Sequence, residues 1–515
     1  MPQNQDQNLK SRRLLRGEIT YAAAKEQDAN ILHELGYRDQ KIRFFTHLSR
    51  NRELIKSLIV RHLGLTSAGL CRVVDVEDWI HGSFNVCIRA DIFDLEGRVG
   101  RQVMIRFPLP YRIGENCCPG NADEKVRCEA GTYIWLKEDC PTVPIPHLYG
   151  FGLSCGKIFT ELDSLPFLTR NIQRLSRWLL QILRYPVPSF FIEHIPNQIL
   201  LGTPYIVIEY VNPAEGKMLS ETWEEGRFNP TLRTNLFRGI SRIILNLARI
   251  PLPKIGSFAM DENGYLRLSN RPLTLEVQQL ENEQIPVDIQ RNTTHISVDS
   301  FIQDTLFLHE CRLRHQPNAV NNVEDGVYQT SALMVMRSIW PCFFRRGLLR
   351  GPFFLNPTDL NQSNIFVDGD WNIMRIIDLE WACSHPVEMI HPPSWLTSEA
   401  IDMISSDEYT VLHAEFMNAF AEEEKILGMP FPLSPIMKQG LENGTFWYSL
   451  ALTSPSALFT IFYDYIQPRF SKTHDEPAFW RITMPYWSFN TFDFIQQKVK
   501  DKEKYDVSLR EAFAS

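Results

Sequence analysis

The sequence lacks the patterns that mark several classes of protein. Its ten cysteines are scattered, without the spaced CxxC pairs of a zinc site or the density of a disulfide scaffold, so we expect reduced thiols. No run approaches the roughly 20 apolar residues that a membrane helix needs. The opening residues also lack the apolar core of a secretory signal. These absences predict a soluble cytoplasmic protein with no transmembrane segment.

Positive charge is not concentrated in any part of the sequence. Lys and Arg number 53 against 61 Asp and Glu, which gives a net charge of -8, so we expect no nucleic-acid partner. The 515 residues are 44% hydrophobic and 22% charged, and no internal repeat is visible. This composition indicates a globular chain that is long enough to bury large cores.

Three polar residues, Asp359, Asn364 and Asp378, are spaced around a predicted strand hairpin. The sequence there is NPTDLNQSNIFVDGDWNIMRIIDLE, in which strands are predicted at 365–367 and 373–377. A loop carboxylate can accept a proton from a hydroxyl, and amide and carboxylate oxygens are ligands that Mg²⁺ prefers. The combination is typical of a kinase-type phosphoryl transferase. For the loop alone, an ordinary turn rich in Asn, Asp and Ser is the alternative.

This segment resembles the aminoglycoside phosphotransferase and choline kinase-like family of small-molecule kinases, in versions associated with fungal relatives. The family pattern H-x-D-x-x-x-x-N is matched at Asp359 and Asn364, and IDLEW around Asp378 resembles the metal-binding segment. The resemblance implies that Asp359 is the catalytic base and that Asn364 and Asp378 hold magnesium, with Glu380 as an auxiliary ligand. One position departs from the pattern, because Pro357 stands where the family has a His that braces the loop.

Backbone groups of a turn and of a hinge strand are expected to bind ATP. A strand meander predicted within residues 72–107 has a turn at Gly82, which would lie where the phosphates bind. The run 204–211 resembles the family's hinge strand, whose backbone meets the adenine edge, although any central strand could have this pattern. The expected nucleotide contacts of these two segments are Gly82, Ser83, Glu209, Tyr210 and Val211.

A buried ion pair is expected beside the nucleotide. Arg106 lies on the third strand, where the family often has a Lys that contacts the phosphates. Arg keeps the positive charge of that Lys, but its planar guanidinium differs from the Lys ammonium in reach and geometry. Glu129, on a predicted helix, matches the family's Glu that pairs with the strand cation, and Glu124 is close enough to be the partner instead.

The expected fold is α+β, a protein kinase-like fold with two lobes. The resemblance implies a small N-lobe with an antiparallel sheet plus a helix, and a larger, mainly helical C-lobe. The predicted segments are a disordered N-terminus at 1–20, a helical extension at 21–70, the N-lobe at 71–211 with a helical insertion near 160–200, the C-lobe with the catalytic loop at 212–400, and a helical extension at 401–515.

A basic amphipathic helix is predicted within the insertion. Apolar residues recur between 168 and 182, and the other face carries Arg170, Arg174, Arg177 and Arg184. Such a helix can lie on an anionic membrane or bind a partner. We favour the alternative in which the apolar face covers a lobe core and the basic face is solvated.

The leading hypothesis is an ATP- and Mg²⁺-dependent kinase that phosphorylates a hydroxyl of a small molecule. Asp359 would deprotonate that hydroxyl, and Arg106 would steady the nucleotide. Acidic groups after the catalytic loop would suit a cationic substrate. The alternative is a pseudokinase that acts as a nucleotide-binding or scaffold protein, which Pro357, Arg106 and the single glycine at Gly82 favour. The three retained Asp and Asn positions argue against it.

Overall fold

The computed structural model describes residues 9–94, 96–194, 201–454, 456–471 and 476–514. Most of the strands lie in the first half of the chain. The strands are β1 (Arg12–Arg13), β2 (Glu18–Ile19), β3 (Cys71–Val73), β4 (Ile80–His81), β5 (Asn85–Phe93), β6 (Val99–Pro108), β7 (Leu148–Gly152), β8 (Ile158–Glu161), β9 (Phe191–His194), β10 (Tyr205–Glu209), β11 (Lys217–Met218), β12 (Ser257–Met260), β13 (Leu266–Asn270), β14 (Phe353–Pro357), β15 (Ile365–Val367), β16 (Ile373–Ile376) and β17 (Ala382–Pro386).

Helices dominate the second half, so the chain is an α+β protein. The helices are α1 (Tyr21–Lys25), α2 (Ile31–Glu34), α3 (Tyr37–Arg50), α4 (Arg52–His62), α5 (Asn121–Asp139), α6 (Phe167–Ile182), α7 (Leu219–Gly226), α8 (Pro230–Ala248), α9 (Leu275–Asn282), α10 (Val298–His315), α11 (Val323–Ile339), α12 (Ser406–Leu427), α13 (Ser434–Asn443), α14 (Thr445–Thr453), α15 (Leu458–Ile461), α16 (Glu476–Thr483) and α17 (Thr491–Ala514).

An eight-stranded antiparallel sheet forms the first large unit. Its strand order is β3-β5-β6-β10-β7-β8-β9, and β4 pairs with β5. Successive residues of β10 point to opposite faces, as in any strand. Tyr205 and Val207 pack in a core with α3 and α4, whereas Ile206 and Ile208 pack in the core that contains α5. The sheet is therefore covered on both faces, and β6 lies in its interior between β5 and β10.

Two pairs of antiparallel strands carry the segment of Asp359, Asn364 and Asp378 within the helical second half. Strand β15 pairs with β16 in the predicted hairpin, and β11 adds a third strand to it. Strand β14, which leads into the segment, pairs with β17, which follows it. The predicted hairpin is present, and the pairing of β14 with β17 closes the segment into a loop anchored on both sides.

The two ends of the chain pack together, which differs from the expected disorder at 1–20. Residues 1–8 lie outside the described residues, but β1 and β2 form a short hairpin. Beside it, the backbone N–H of Lys10 donates to the carbonyl of Phe513 at 3.1 Å, and that of Ile31 donates to the Tyr505 hydroxyl at 2.9 Å. The prediction of disorder is wrong for residues 9–20, because helix α17 supplies partners that are almost 500 residues away in sequence.

Helix α6 has the orientation opposite to the one we favoured from sequence. Its apolar side chains are exposed; Leu168 and Ile172, for example, keep 74% and 66% of their surface. Arg177 is the buried residue of the helix, and its guanidinium donates to the carbonyls of Pro188 and Ser189. The prediction of an apolar face on a lobe core is therefore wrong. Residues 195–200, which end the predicted insertion, lie outside the described residues.

Two expectations about composition can be compared with the structure. No disulfide joins the ten cysteines, all of which belong to the described part of the chain. None of the described helices has the length and apolar character needed to cross a membrane.

Candidate functional site

The predicted catalytic carboxylate and amide lie in contact. The side-chain Nδ2 of Asn364 donates to the Asp359 carbonyl at 2.8 Å and lies 3.4 Å from Asp359 Oδ2. Asn361 Nδ2 donates to Asp359 Oδ1 at 3.0 Å. These bonds orient the Asp359 carboxylate, and they leave Asn364 Oδ1 without a hydrogen-bond donor among the described residues.

Other side chains brace the loop in the absence of the family's His at Pro357. The Thr358 hydroxyl donates to the Trp381 carbonyl at 2.8 Å. Trp395 Nε1 donates to the Leu360 carbonyl, also at 2.8 Å. Both residues were missed in the sequence, because neither belongs to the family motif. The departure at Pro357 is thus accompanied by two local anchors on either side of Asp359.

Asp378 lies beside Asn364 in a strained backbone conformation. The N–H of Ile377 donates to the Asn364 carbonyl at 2.9 Å, which brings the two segments together. Asp378 has φ 62° and ψ 57°, a left-handed conformation that non-glycine residues rarely adopt and that recurs at functional sites. Asp359, Asn364 and Asp378 therefore share one edge of the hairpin, as the sequence predicts.

Arg106, on the interior strand β6, connects the large sheet to the edge of the hairpin that carries Asp378. Its Nη1 donates to Glu129 Oε1 at 2.9 Å, so Glu129 rather than Glu124 is the helical partner. Its Nη2 donates to Asp378 Oδ1 and lies 3.1 Å from Glu380 Oε2. Glu124 instead pairs with Arg271. One buried guanidinium thus binds three of the carboxylates that the sequence singles out.

A second buried cation, Lys125, was not predicted. Its Nζ donates to Glu380 Oε2 and, at 2.9 Å, to Asn85 Oδ1, and Asn85 Nδ2 donates back to Glu380 at 2.6 Å. The signal available in the sequence was spacing, since Lys125 precedes Glu129 by four residues and therefore shares its face of α5. Glu380 is consequently held by two cations and one amide.

Burial and neighbouring carboxylates shift the protonation of the site. The pKa of Asp359 is raised to about 6, first by burial and then by the negative charges of Asp378 and Glu380. Burial also raises the pKa of Glu129, against the attraction of Arg106. Burial lowers the pKa of Arg106, but Asp378 and Glu129 outweigh it and keep that pKa above its usual range. Asp359 therefore has the pKa of a usable general base near neutral pH.

Asp359 also lines an adjoining cavity of about 290 Å³. Its wall is partly apolar and includes Phe301, and it contains the carboxylates of Glu276 and Asp304. Glu276 is buried, and its Oε1 has no hydrogen-bond partner. Burial raises the pKa of Glu276. The cavity can therefore receive a small molecule that places a hydroxyl at Asp359 and offers a cation or a hydrogen-bond donor to Glu276.

The remaining predicted nucleotide contacts lie apart from this cluster. Ser83 accepts a bond from Arg112 Nε at 3.0 Å, and Gly82 and Ser83 line a separate small cavity. Glu209, the last residue of β10, accepts from the N–H of His147 at 3.1 Å. Between described residues, no hydrogen bond or ion pair joins either segment to Asp378. The residues in question are Gly82, Ser83, Glu209, Tyr210 and Val211.

The donor set fits magnesium in part. Asn364 Oδ1 is available, and Asp378 has a second carboxylate oxygen that no described residue binds, while Mg²⁺ commonly uses one or two protein oxygens with water and phosphate. The other Asp378 oxygen is occupied by Arg106. No cluster of three or more His, Cys, Asp or Glu side chains suited to a metal occurs in the described ranges. Magnesium at this site would therefore be held mainly together with phosphate.

No family model and no curated protein sequence matches the chain. The solved structures that resemble it include the following two. One is a candidate aminoglycoside phosphotransferase from Ralstonia eutropha JMP134, at 12% identity, a TM-score of 0.40, and coverage of 89% of this chain and 98% of that chain. The other is an ethanolamine kinase from Plasmodium vivax, at 13% identity, a TM-score of 0.34, and coverage of 84% and 83%. Neither organism is a fungus, so the fungal relationship stays a prediction.

Proposed function

We propose that this chain is an ATP- and Mg²⁺-dependent kinase that transfers a phosphoryl group to a hydroxyl of a small molecule. The observation that carries the proposal is the position of Asp359, which is oriented by Asn361 and Asn364 and faces a cavity. In this proposal residues 71–211 and 212–400 are the two lobes of a kinase-like fold, and the reaction occurs between them.

Asp359 would act as the general base. With a pKa of about 6, most of the Asp359 carboxyl is ionised near pH 7, and it is a stronger base than an ordinary aspartate. Its two amide contacts restrict the carboxylate to one orientation, which lowers the entropy cost of placing the hydroxyl for attack.

The cations would bind the nucleotide's phosphates. Arg106 is fixed by Glu129, and a phosphate oxygen could replace Asp378 as the acceptor for Arg106 Nη2. Asp378 and Asn364 would then hold magnesium, which neutralises phosphate charge when bound. Arg106 would thus exchange one anionic partner for another and would remain paired throughout.

A cationic hydroxyl compound is the substrate class that the cavity suits best. Glu276 supplies a buried carboxylate oxygen that accepts no hydrogen bond and has His309 Nδ1 3.8 Å away, and Asp304 adds a second negative charge. Phe301 supplies an aromatic wall on which a cation can rest. Amino alcohols combine a hydroxyl for Asp359 with a cation for Glu276.

One observation favours the pseudokinase alternative. Arg106 and Lys125 already neutralise Asp378 and Glu380, so these charged groups of the site are paired with one another and not with a ligand. If phosphates cannot replace those carboxylates, the chain would keep the architecture as a nucleotide-binding or scaffold protein without turnover.

Product formation from ATP, Mg²⁺ and a panel of amino alcohols and sugars distinguishes the two functions. Turnover that requires both ATP and Mg²⁺ supports the kinase. Nucleotide binding without turnover across the panel supports the pseudokinase. The same panel measured with Glu276→Gln separates cationic from neutral substrates.

A further inference from the structure

The exposed apolar face of α6 is the largest surface feature that the proposed function does not use. Ten of the 25 large apolar side chains that are exposed among the described residues fall between Phe167 and Phe190. Single exposed apolar residues are ordinary, but a contiguous patch usually marks an interaction site. These ten are Phe167, Leu168, Ile172, Leu175, Trp178, Leu179, Ile182, Leu183, Tyr185 and Phe190.

The apolar residues form one side of the helix. At about 100° per residue, those of α6 and the following Leu183 lie within an arc of roughly 160° that only Asn171 interrupts. Arg177 lies on the opposite side, where it is buried against the carbonyls of Pro188 and Ser189. The helix is therefore held to the protein by its polar side and presents its apolar side outward.

The surroundings of this face carry positive charge. The segment from Ser164 to Ile192 contains four Arg and no Asp or Glu, in a chain whose net charge is -8. Arg170 and Arg174 border the apolar arc, although both also contact Asp163 just before the helix. Arg184 follows the helix and is exposed. Long basic side chains at the edge of an apolar face can extend toward anionic headgroups.

We propose that α6 binds the surface of an anionic lipid membrane, with its apolar arc in the interface and the bordering Arg170 and Arg174 at the headgroups. Trp178 and Phe167 lie at the basic border of the arc, where amphipathic aromatic rings prefer the boundary between lipid and water. The helix would lie on the membrane rather than cross it, because its 16 residues are fewer than the roughly 20 that a membrane helix needs. This interaction is independent of the kinase reaction.

A second copy of the chain suits the face less well. The 16 residues of α6 make a surface about 24 Å long and about 10 Å wide, a few hundred Å², compared with about 800 Å² per partner in a standard interface. Two copies of this face would also bring arginines together with no acidic residue of the segment between them. Charge complementarity and area therefore both favour a lipid surface.

The undescribed segments of the chain are also poor candidates to cover the face. Residues 1–8, MPQNQDQN, are almost entirely polar. The segments 195–200 and 472–475 are six and four residues long. A fully extended chain of six residues spans at most about 20 Å. Neither can cover a helix face of about 24 Å.

Vesicle co-sedimentation of the full chain without nucleotide tests the proposal. We expect at least tenfold stronger partitioning onto vesicles of phosphatidylserine and phosphatidylcholine (about 30:70) than onto phosphatidylcholine alone, weakened by salt. The double variant Leu168→Glu/Ile172→Glu should lower partitioning at least tenfold. The matched control is Val411→Glu/Ile426→Glu on α12, where the replaced side chains are 68% and 74% exposed. This control should change partitioning less than twofold.

Three outcomes would overturn the proposal. The first is a wild-type chain that does not bind anionic vesicles. The second is equal loss of binding in both double variants, which would indicate general charge repulsion rather than a role of α6. The third is a concentration-dependent dimer, seen by sedimentation velocity, that the α6 variant abolishes and the α12 variant does not, because this would assign the face to a second copy. None of these results depends on kinase activity.

Discussion

Arg106 Nη2 donates to the carboxylate of Asp378, the residue that the sequence assigns to magnesium. Arg106 is buried in the interior strand of the sheet, whereas the Asp378 side chain is one-third exposed. A guanidinium and a metal ion compete for the same negative charge. The ion pair therefore makes metal binding conditional on a new partner for Arg106, and the phosphates of a nucleotide are the partner that the proposed function supplies.

Magnesium and nucleotide should consequently bind with positive coupling. We expect Mg²⁺ alone to stabilise the chain little, and to bind at least tenfold more tightly when a non-hydrolysable ATP analogue is present. Isothermal titration with and without the analogue measures this difference. Asp378→Asn should abolish the coupling, whereas Asp368→Asn, in the exposed turn of the same hairpin, should preserve it. Equal magnesium affinity with and without nucleotide would contradict this role of Asp378.

Glu380 should be important for stability, because it compensates Lys125 and Arg106 together. Glu380→Gln leaves two buried cations with less negative charge, and breaking a buried pair in this way costs about 3 kcal/mol. We expect a clear decrease in the urea midpoint. The control Glu262→Gln removes a carboxylate that is 74% exposed and should cost less than about 1 kcal/mol. A stable Glu380→Gln protein would show that the buried cluster tolerates unbalanced charge.

Much of the site followed from local sequence patterns. The hairpin around Asp359, Asn364 and Asp378 was predicted because apolar alternation and turn residues define short strands within a few positions. The Arg106–Glu129 pair followed from the family resemblance. Lys125 and Asn85 were missed because their roles depend on Glu380, which is more than 250 residues away in sequence and approaches only in the folded chain.

The orientation of α6 could not be predicted from its amphipathic pattern. Periodicity separates an apolar face from a polar one, but it does not say which face meets the protein. Here the contacts of Arg177 with two backbone carbonyls turn the polar face inward. The packing of the N-terminal residues against α17 was unpredictable for a similar reason, since their partners lie at the other end of the chain.

Two buried histidines should each contribute stability that is lost in mild acid. Burial lowers the pKa of His385 and of His413 to about 4, with a further contribution from His391. Unfolded histidine titrates near 6.5, so between pH 6.5 and about 4 these positions bind protons in the unfolded chain but not in the folded chain. Their contribution to stability is therefore full above pH 6.5 and is lost as the pH falls through this window.

For His413 alone the loss between pH 7 and pH 5 is about 2 kcal/mol. Comparing urea midpoints at the two pH values should show a correspondingly smaller loss in His413→Gln than in the wild type. His47→Gln, at an exposed histidine on α3, should keep the wild-type pH dependence. The same pH dependence in His413→Gln and the wild type would exclude His413 as a source of the stability lost at low pH.

Glu276 should discriminate between substrates by charge. Glu276 lines the cavity of Asp359 with a carboxylate oxygen that accepts no hydrogen bond, so Glu276→Gln removes the attraction for a cation without changing the base. For an amino alcohol we expect KM to rise roughly tenfold with kcat within threefold, a binding effect of about 1.4 kcal/mol. KM for a neutral polyol should be unchanged. An equal rise in KM for both substrates would mean that Glu276 determines the shape of the cavity and does not select substrates by their charge.

Replacing Asp359 by Asn tests the central claim most directly, in an assay of phosphorylated product from ATP, Mg²⁺ and the best substrate of the panel. Asn keeps the size of the side chain and one of its two acceptor oxygens but cannot accept the proton. We expect turnover to fall by roughly 10²- to 10⁴-fold, with nucleotide affinity unchanged by titration. Asp368→Asn should retain wild-type turnover. Unchanged turnover in Asp359→Asn would contradict the assignment of this carboxylate as the catalytic base.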